Sequence, residues 1–151
     1  MQDDGPCDGG GLRGRHWVRG LRSAFHDCRH LCPRTKDRME IRRHGLKLQY
    51  WPAVRLSDES GQVLDLDWEW IKSIPGKNIG ELRVDDVIGG HDNLRIIFFV
   101  PGIKRRTDPM PAIWLLAVMQ KKRQNFTAAN IQTFNLRRQL ILARFYNEKG
   151  R

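Results

Sequence analysis

The chain has 151 residues, 40% of them hydrophobic and 29% charged, and a net charge of +10. That length holds one modest core, and no run of about 18 apolar residues offers a membrane span. The acidic, Gly-rich start from Met1 to Gly11 lacks the basic residues and apolar stretch of a secretory signal.

Residues 1–38 carry 6 of the 14 glycines and all three cysteines, Cys7, Cys28 and Cys32. An odd cysteine count without a secretory signal argues for a reduced, cytoplasmic compartment over a disulfide scaffold. Val18, Leu21, Phe25 and Cys28 are spaced for a short basic helix within residues 15–32, ended by Pro33. The run His26-Asp27-Cys28-Arg29-His30-Leu31-Cys32 crowds metal-ligand types together, but no second ligand pair closes a loop on it. Neither a metal nor another cofactor is expected. From Met39 the chain reads MEIRRHGLKLQYW, like the start of a folded protein. The expectation is a disordered or mis-assigned extension over 1–38 and one domain over 39–151.

Leu46 to Trp51 alternates as a short strand. Leu64, Trp68, Ile71 and Ile74 fit one helix face over 63–74, stopped by Pro75-Gly76. Three strands follow: 79–84 (IGELRV), 94–100 (LRIIFFV) and 112–119 (AIWLLAVM). The last is apolar on both faces and so belongs in the centre of a sheet. A helix over 128–148 is expected behind an N-cap at Thr127, with Gly150 as its stop. The fold class is therefore α+β, a small antiparallel sheet with an N-terminal helix and a long C-terminal helix.

Charge is uneven along this order. Residues 1–38 hold 8 Lys/Arg and 5 Asp/Glu, residues 39–92 hold 7 and 10, and residues 93–151 hold 12 and 2. A basic last third attracts a polyanion such as nucleic acid. Catalytic triads, phosphate loops and paired carboxylates find no match in the pattern. What stands out is a set of cations at strand ends: Arg83, Arg95, Lys121, Lys122 and Arg123. Alternation turns Arg83 and Arg95 away from Leu82, Val84, Leu94 and Phe98.

Glu81-Leu82-Arg83, Arg95-Ile96-Ile97-Phe98-Phe99, Trp114-Leu115-Leu116, Lys121-Lys122 and Asn130-Ile131 follow one another in an ordered pattern. This order resembles the RelE/HigB superfamily of toxins, and within it the phage-derived HigB-like group, over roughly residues 64–146. The resemblance implies a type II toxin–antitoxin component that cleaves mRNA without a metal, usually on the ribosome. The RNA's own 2′-hydroxyl attacks the adjacent phosphate, and the protein orients the strand and stabilises the extra negative charge. Arg83 and Arg95 are then expected as phosphate clamps, and Lys121 or Lys122 as base or electrostatic stabiliser. Arg123, Phe126 and the loop cations Lys104, Arg105 and Arg106 are expected to bind RNA. Tyr146 is the one late aromatic hydroxyl available to such a site. The implied partners are mRNA, the ribosome and a cognate antitoxin with an acidic segment, often a helix-turn-helix protein; a membrane is not among them. Two other readings stand beside it: a ParE-like inhibitor of a protein target such as DNA gyrase, and a non-catalytic RNA-binding relative.

Overall fold

The computed structural model describes residues 15–52, 55–57 and 63–147. Its elements run β1 (Trp17–Gly20), α1 (Arg22–Leu31), α2 (Thr35–Leu46), a 3₁₀ turn (Lys47–Tyr50), β2 (Arg55–Ser57), β3 (Val63–Asp65), β4 (Trp68–Trp70), β5 (Ile79–Val84), β6 (Leu94–Phe99), β7 (Ala112–Gln120) and α3 (Ala128–Phe145). The fold is α+β, as its sequence predicts. A five-stranded sheet has the order β1-β7-β6-β5-β4, and β2 and β3 form a separate ribbon. The pairs β4–β5, β5–β6 and β6–β7 are antiparallel, but β1 lies parallel to β7, so the sheet is mixed and not purely antiparallel.

β7 is the spine. Ala112, Ile113, Trp114, Leu116, Ala117 and Val118 are all buried. α2, the 3₁₀ turn and part of α1 cover one sheet face, where Ile41 and Leu48 join Leu82, Ile96, Phe98 and Val118. α3 covers the other, where Phe134 and Ile141 join Ile79, Ile97, Phe99, Trp114 and Leu116. At a β-bulge, Ile97 faces Ala117 while Phe98 faces Leu115, which leaves Leu116 as the extra residue. Gly80 lies opposite Phe98, and a Cβ there would come within 2.6 Å of the ring.

Four sequence expectations are corrected. The expected extension is, in its described part, integral to the fold: β1 and α1 precede residue 39, and Val18, Leu21, Ala24 and Cys32 are buried. The boundary at Met39 falls inside α2. Residues 1–14 and the expected stop at Gly150 lie outside the described residues. The strand expected over Leu46–Trp51 is instead the end of α2 and the 3₁₀ turn, since Leu48 needs only to reach the core and a tight turn delivers it fully buried. The helix expected over 63–74 is β3, β4 and a turn. Its apolar spacing suits a helix, but Trp68 and Trp70 lie opposite Leu82 and Gly80 on the otherwise open edge of β5, and ladder pairing prevails over spacing. The N-terminal helical layer is therefore α1 and α2. Trp70, a natural core residue by type, is 42% exposed.

The free edge of β7 beyond β1 is closed by side chains. Val118 N donates to Asp27 Oδ2 of α1 at 3.2 Å. Arg137 of α3 donates to Leu116 O at 2.8 Å and to Asp27 Oδ2 at 2.7 Å. One ion pair thus supplies a donor and an acceptor that a further strand would otherwise provide. Arg137→Ala should destabilise the fold by roughly 1–3 kcal/mol, because it strands both a carbonyl and a carboxylate. Denaturant unfolding of Arg137→Ala, Asp27→Ala and the double variant checks this, the double costing clearly less than the sum of the singles.

Burial holds the His16 imidazole below its ordinary value of 6.5, against a backbone hydrogen bond at Trp51 that raises it. The unfolded chain therefore takes up this proton at higher pH than the fold does, so the His16 contribution is present above about pH 6.5 and is lost as pH falls below it. Replacing His16 with Gln should flatten the stability profile measured by urea unfolding between about pH 7 and 5.

Candidate functional site

On the face that α3 shares, the strands change character along their length. β5 presents Ile79, then Glu81 and Arg83; β6 presents Phe99 and Ile97, then Arg95; β7 presents Ala117 and Met119, then Lys121. The apolar end of this face lies under α3. The polar end opens into a cleft of about 860 Å³, walled also by Lys72, Glu69 and the Lys122–Phe126 segment that leads into α3. Six cations line it against two carboxylates, Glu69 and Glu81, so the cleft is electropositive.

Glu81 organises the floor. Its side chain is 8% exposed, and Oε1 accepts from Arg95 Nε at 2.9 Å and from Lys121 Nζ at 3.4 Å. Arg95, only 6% exposed at its side chain, also donates from Nη1 to Asn93 Oδ1 at 2.8 Å and to Leu94 O at 3.3 Å. Asn93 adopts a left-handed φ of 55°, and its Nδ2 donates to Lys121 O at 2.5 Å, while Lys121 N donates to Asn93 O. This turn residue therefore ties the start of β6 to the end of β7. Lys121 Nζ lies 4.5 Å from the centroid of Phe126. Phe126 itself packs edge-on against Phe134, 5.3 Å away, in front of the Thr127–Asn130 capping box.

Several expected site residues are brought together and others are not. Arg83, Arg95, Lys121, Lys122, Arg123 and Phe126 all line this cleft. Arg83 lies directly opposite Arg95 and is half exposed, 3.6 Å from Asp67 Oδ2. The neighbours that its sequence offers, Glu81 and Asp85, are not its partner. Arg95 is a buried member of the floor and not an exposed clamp, because the Glu81 carboxylate draws its guanidinium inward. Lys104, Arg105 and Arg106 precede the opposite end of β7 and do not reach the cleft. Lys104 Nζ donates to Asp108 O, and Arg105 pairs with Asp108 and stacks on Phe145. Tyr146 also lies at that end, accepting from Trp114 Nε1 at 2.9 Å. Glu81 enters the sequence reading only as part of the Glu81-Leu82-Arg83 run, whereas here it organises the floor of the cleft. In the β5–β6 register it lies opposite Ile97, one same-face position along from the Arg83–Arg95 pair, and it reaches Arg95 diagonally, a placement that alternation alone does not supply.

The chain matches no family model, no curated protein and no solved structure. Among the described residues no helix is long and apolar enough to cross a membrane.

Burial makes the Glu81–Arg95 pair a test of this architecture. Glu81→Ala should cost about 3–5 kcal/mol by leaving Arg95 uncompensated, whereas Glu81→Gln with Arg95→Met should recover most of that. Equilibrium urea unfolding reads both, and additive losses in the double variant would contradict the arrangement.

Proposed function

We propose that the cleft binds the backbone of single-stranded RNA and that the protein is an mRNA-cleaving toxin of a type II toxin–antitoxin pair, related to the RelE/HigB group. The observation that carries this reading is the meeting of Arg83 from β5 with Lys121, Lys122 and Arg123 from the segment after β7, two stretches of chain far apart in sequence, at one open cleft. Phosphodiesters need such a convergence of cations, and Arg offers a planar fork for two phosphate oxygens.

The proposed chemistry is attack by a ribose 2′-hydroxyl on the adjacent phosphorus, with departure of the 5′-oxygen. The protein's contribution is orientation and charge stabilisation. Arg83, half exposed, takes a phosphate oxygen. Lys121, positioned by its ion pair with Glu81, stabilises the developing charge on the phosphorane. Solvent receives the 2′ proton and supplies one to the departing 5′-oxygen, while Lys122, exposed at the rim, adds positive charge beside the phosphate. Arg95 acts through Glu81 and Lys121, as a positioning residue beneath the floor. Phe126 offers the remaining edge of its ring to a base, although packing on Phe134 is its first role. The implied antitoxin would bring acidic groups to this electropositive face.

The test is 5′-end mapping of cellular mRNA after induced expression of the full chain. New cuts are expected with the natural sequence, with a loss of about a hundredfold or more in Lys121→Ala. Cuts should persist in Arg106→Ala, which lies away from the cleft. Growth arrest with intact mRNA would sink the ribonuclease reading and favour a protein target such as DNA gyrase. Salt-sensitive RNA binding without cuts would leave an RNA-binding relative.

A further inference from the structure

On the sheet face opposite the cleft, α2 meets the turn that follows β5. Glu40 and His44 are one helical turn apart on α2, and Asp86 approaches them from that turn. One donor atom from each residue lies within 4.8 Å of the other two. His44 Nε2 and Asp86 Oδ2 are 3.0 Å apart. That separation is close to an edge of a coordination polyhedron, about 2.9–3.4 Å for metal bonds of about 2.0–2.1 Å.

We infer that Glu40, His44 and Asp86 form a binding site for a divalent transition-metal ion of the zinc class. One imidazole nitrogen and two carboxylate oxygens make a donor set that suits Zn²⁺ or Co²⁺ better than the all-oxygen preference of Mg²⁺. The metal takes the place of the proton between His44 and Asp86. The imidazole is the fixed member, with its side chain 12% exposed, while Asp86 is 62% exposed and free to adjust. Glu40 now pairs with Arg43 at 2.5 Å, where the arginine side chain is 65% exposed. Exposed pairs of this kind are weak enough for the carboxylate to turn toward a metal. Arg43 on α2 and Lys47 at the start of the 3₁₀ turn are the nearby cations that oppose binding, and the two carboxylates offset them. Three protein donors leave positions for water, so the site is open.

The turn that carries Asp86 is anchored independently of any ion. Ile88 and His91 form a backbone bridge, and His91 Nε2 hydrogen-bonds with Leu31 O at 2.8 Å. Asp86 is thereby presented to α2 without the ordering cost of a loose loop. A bound metal would clamp α2 to the segment just beyond Arg83. This site does not rest on the ribonuclease reading, since none of its residues lines the cleft.

The experiment is titration of the full chain with Co²⁺, followed by visible absorption, and with Zn²⁺, followed by thermal unfolding. One equivalent should bind, with saturating d–d bands and a rise in Tm. Asp86→Asn, exposed enough to leave folding intact, and His44→Gln should each weaken binding about tenfold or more. Cys28→Ser with Cys32→Ala should leave the Co²⁺ affinity unchanged, while the loss of the buried Cys32 thiol lowers the metal-free Tm. Three results would overturn the site: absence of saturable binding, binding that persists in Asp86→Asn, or binding lost with the cysteines, which would move it to the His26–Cys32 segment. A preference for Mg²⁺ would overturn the assigned metal class.

Discussion

The fold rests on the need to enclose β7 on every side. A nine-residue strand that is apolar on both faces cannot leave either face or either edge to water. α3 takes one face, and α1 with α2 takes the other. β6 takes one edge along most of its length. The opposite edge is divided: β1 pairs with its first half, and the Asp27–Arg137 pair answers individual backbone groups in its second. This is why residues 17–31, which form β1 and α1, are structural. Without β1 and α1, the central strand would present an open edge.

The candidate site is the same solution carried to its end. Where α3 stops covering the sheet, the inward positions of β5, β6 and β7 turn from Ile79, Ile97 and Ala117 to Glu81, Arg95 and Lys121. A single carboxylate between two cations leaves one positive charge in excess, held nearly out of water at the floor. Electrostatic interactions strengthen in such surroundings, so a polyanion at the cleft meets a charge that little solvent screens. The rim adds Lys122 and Arg123, which are exposed and more readily screened. Depth and rim therefore differ in kind: the first fixes geometry and the second gathers ligand.

Much of this was legible in the sequence where the signal is local. Alternation located β5 and β6, a run apolar on both faces located β7, and Thr127 marked the start of α3. The shared side of Arg83 and Arg95 followed from parity, and Lys121 joined them as a residue directly after the last strand of a meander. What was not legible depends on distant partners. Trp17–Gly20 is too short to alternate, and only β7 makes it a strand. Trp68 and Trp70 sit at spacings compatible with a helix until β5 offers an edge. Whether Arg95 is a surface clamp or a buried floor member was decided by Glu81, fourteen residues away. The basic loop at 104–106 shows the limit of charge counting, because Arg105 is already committed to Asp108 and Phe145.

The bulge at Leu116 has a consequence for how this strand is compared with others. Strict alternation would put Trp114 and Lys121, seven positions apart, on opposite sides of the sheet. The extra residue resets the parity, so both the tryptophan under α3 and the lysine in the cleft share one side. In a relative whose strand lacks the insertion, the equivalent lysine would stand six positions after the tryptophan. An alignment without a gap would then match Lys121 to its neighbour, and the basic doublet Lys121-Lys122 would conceal the error. Superposition by register, anchored on Arg95, identifies the counterpart that residue counting misses.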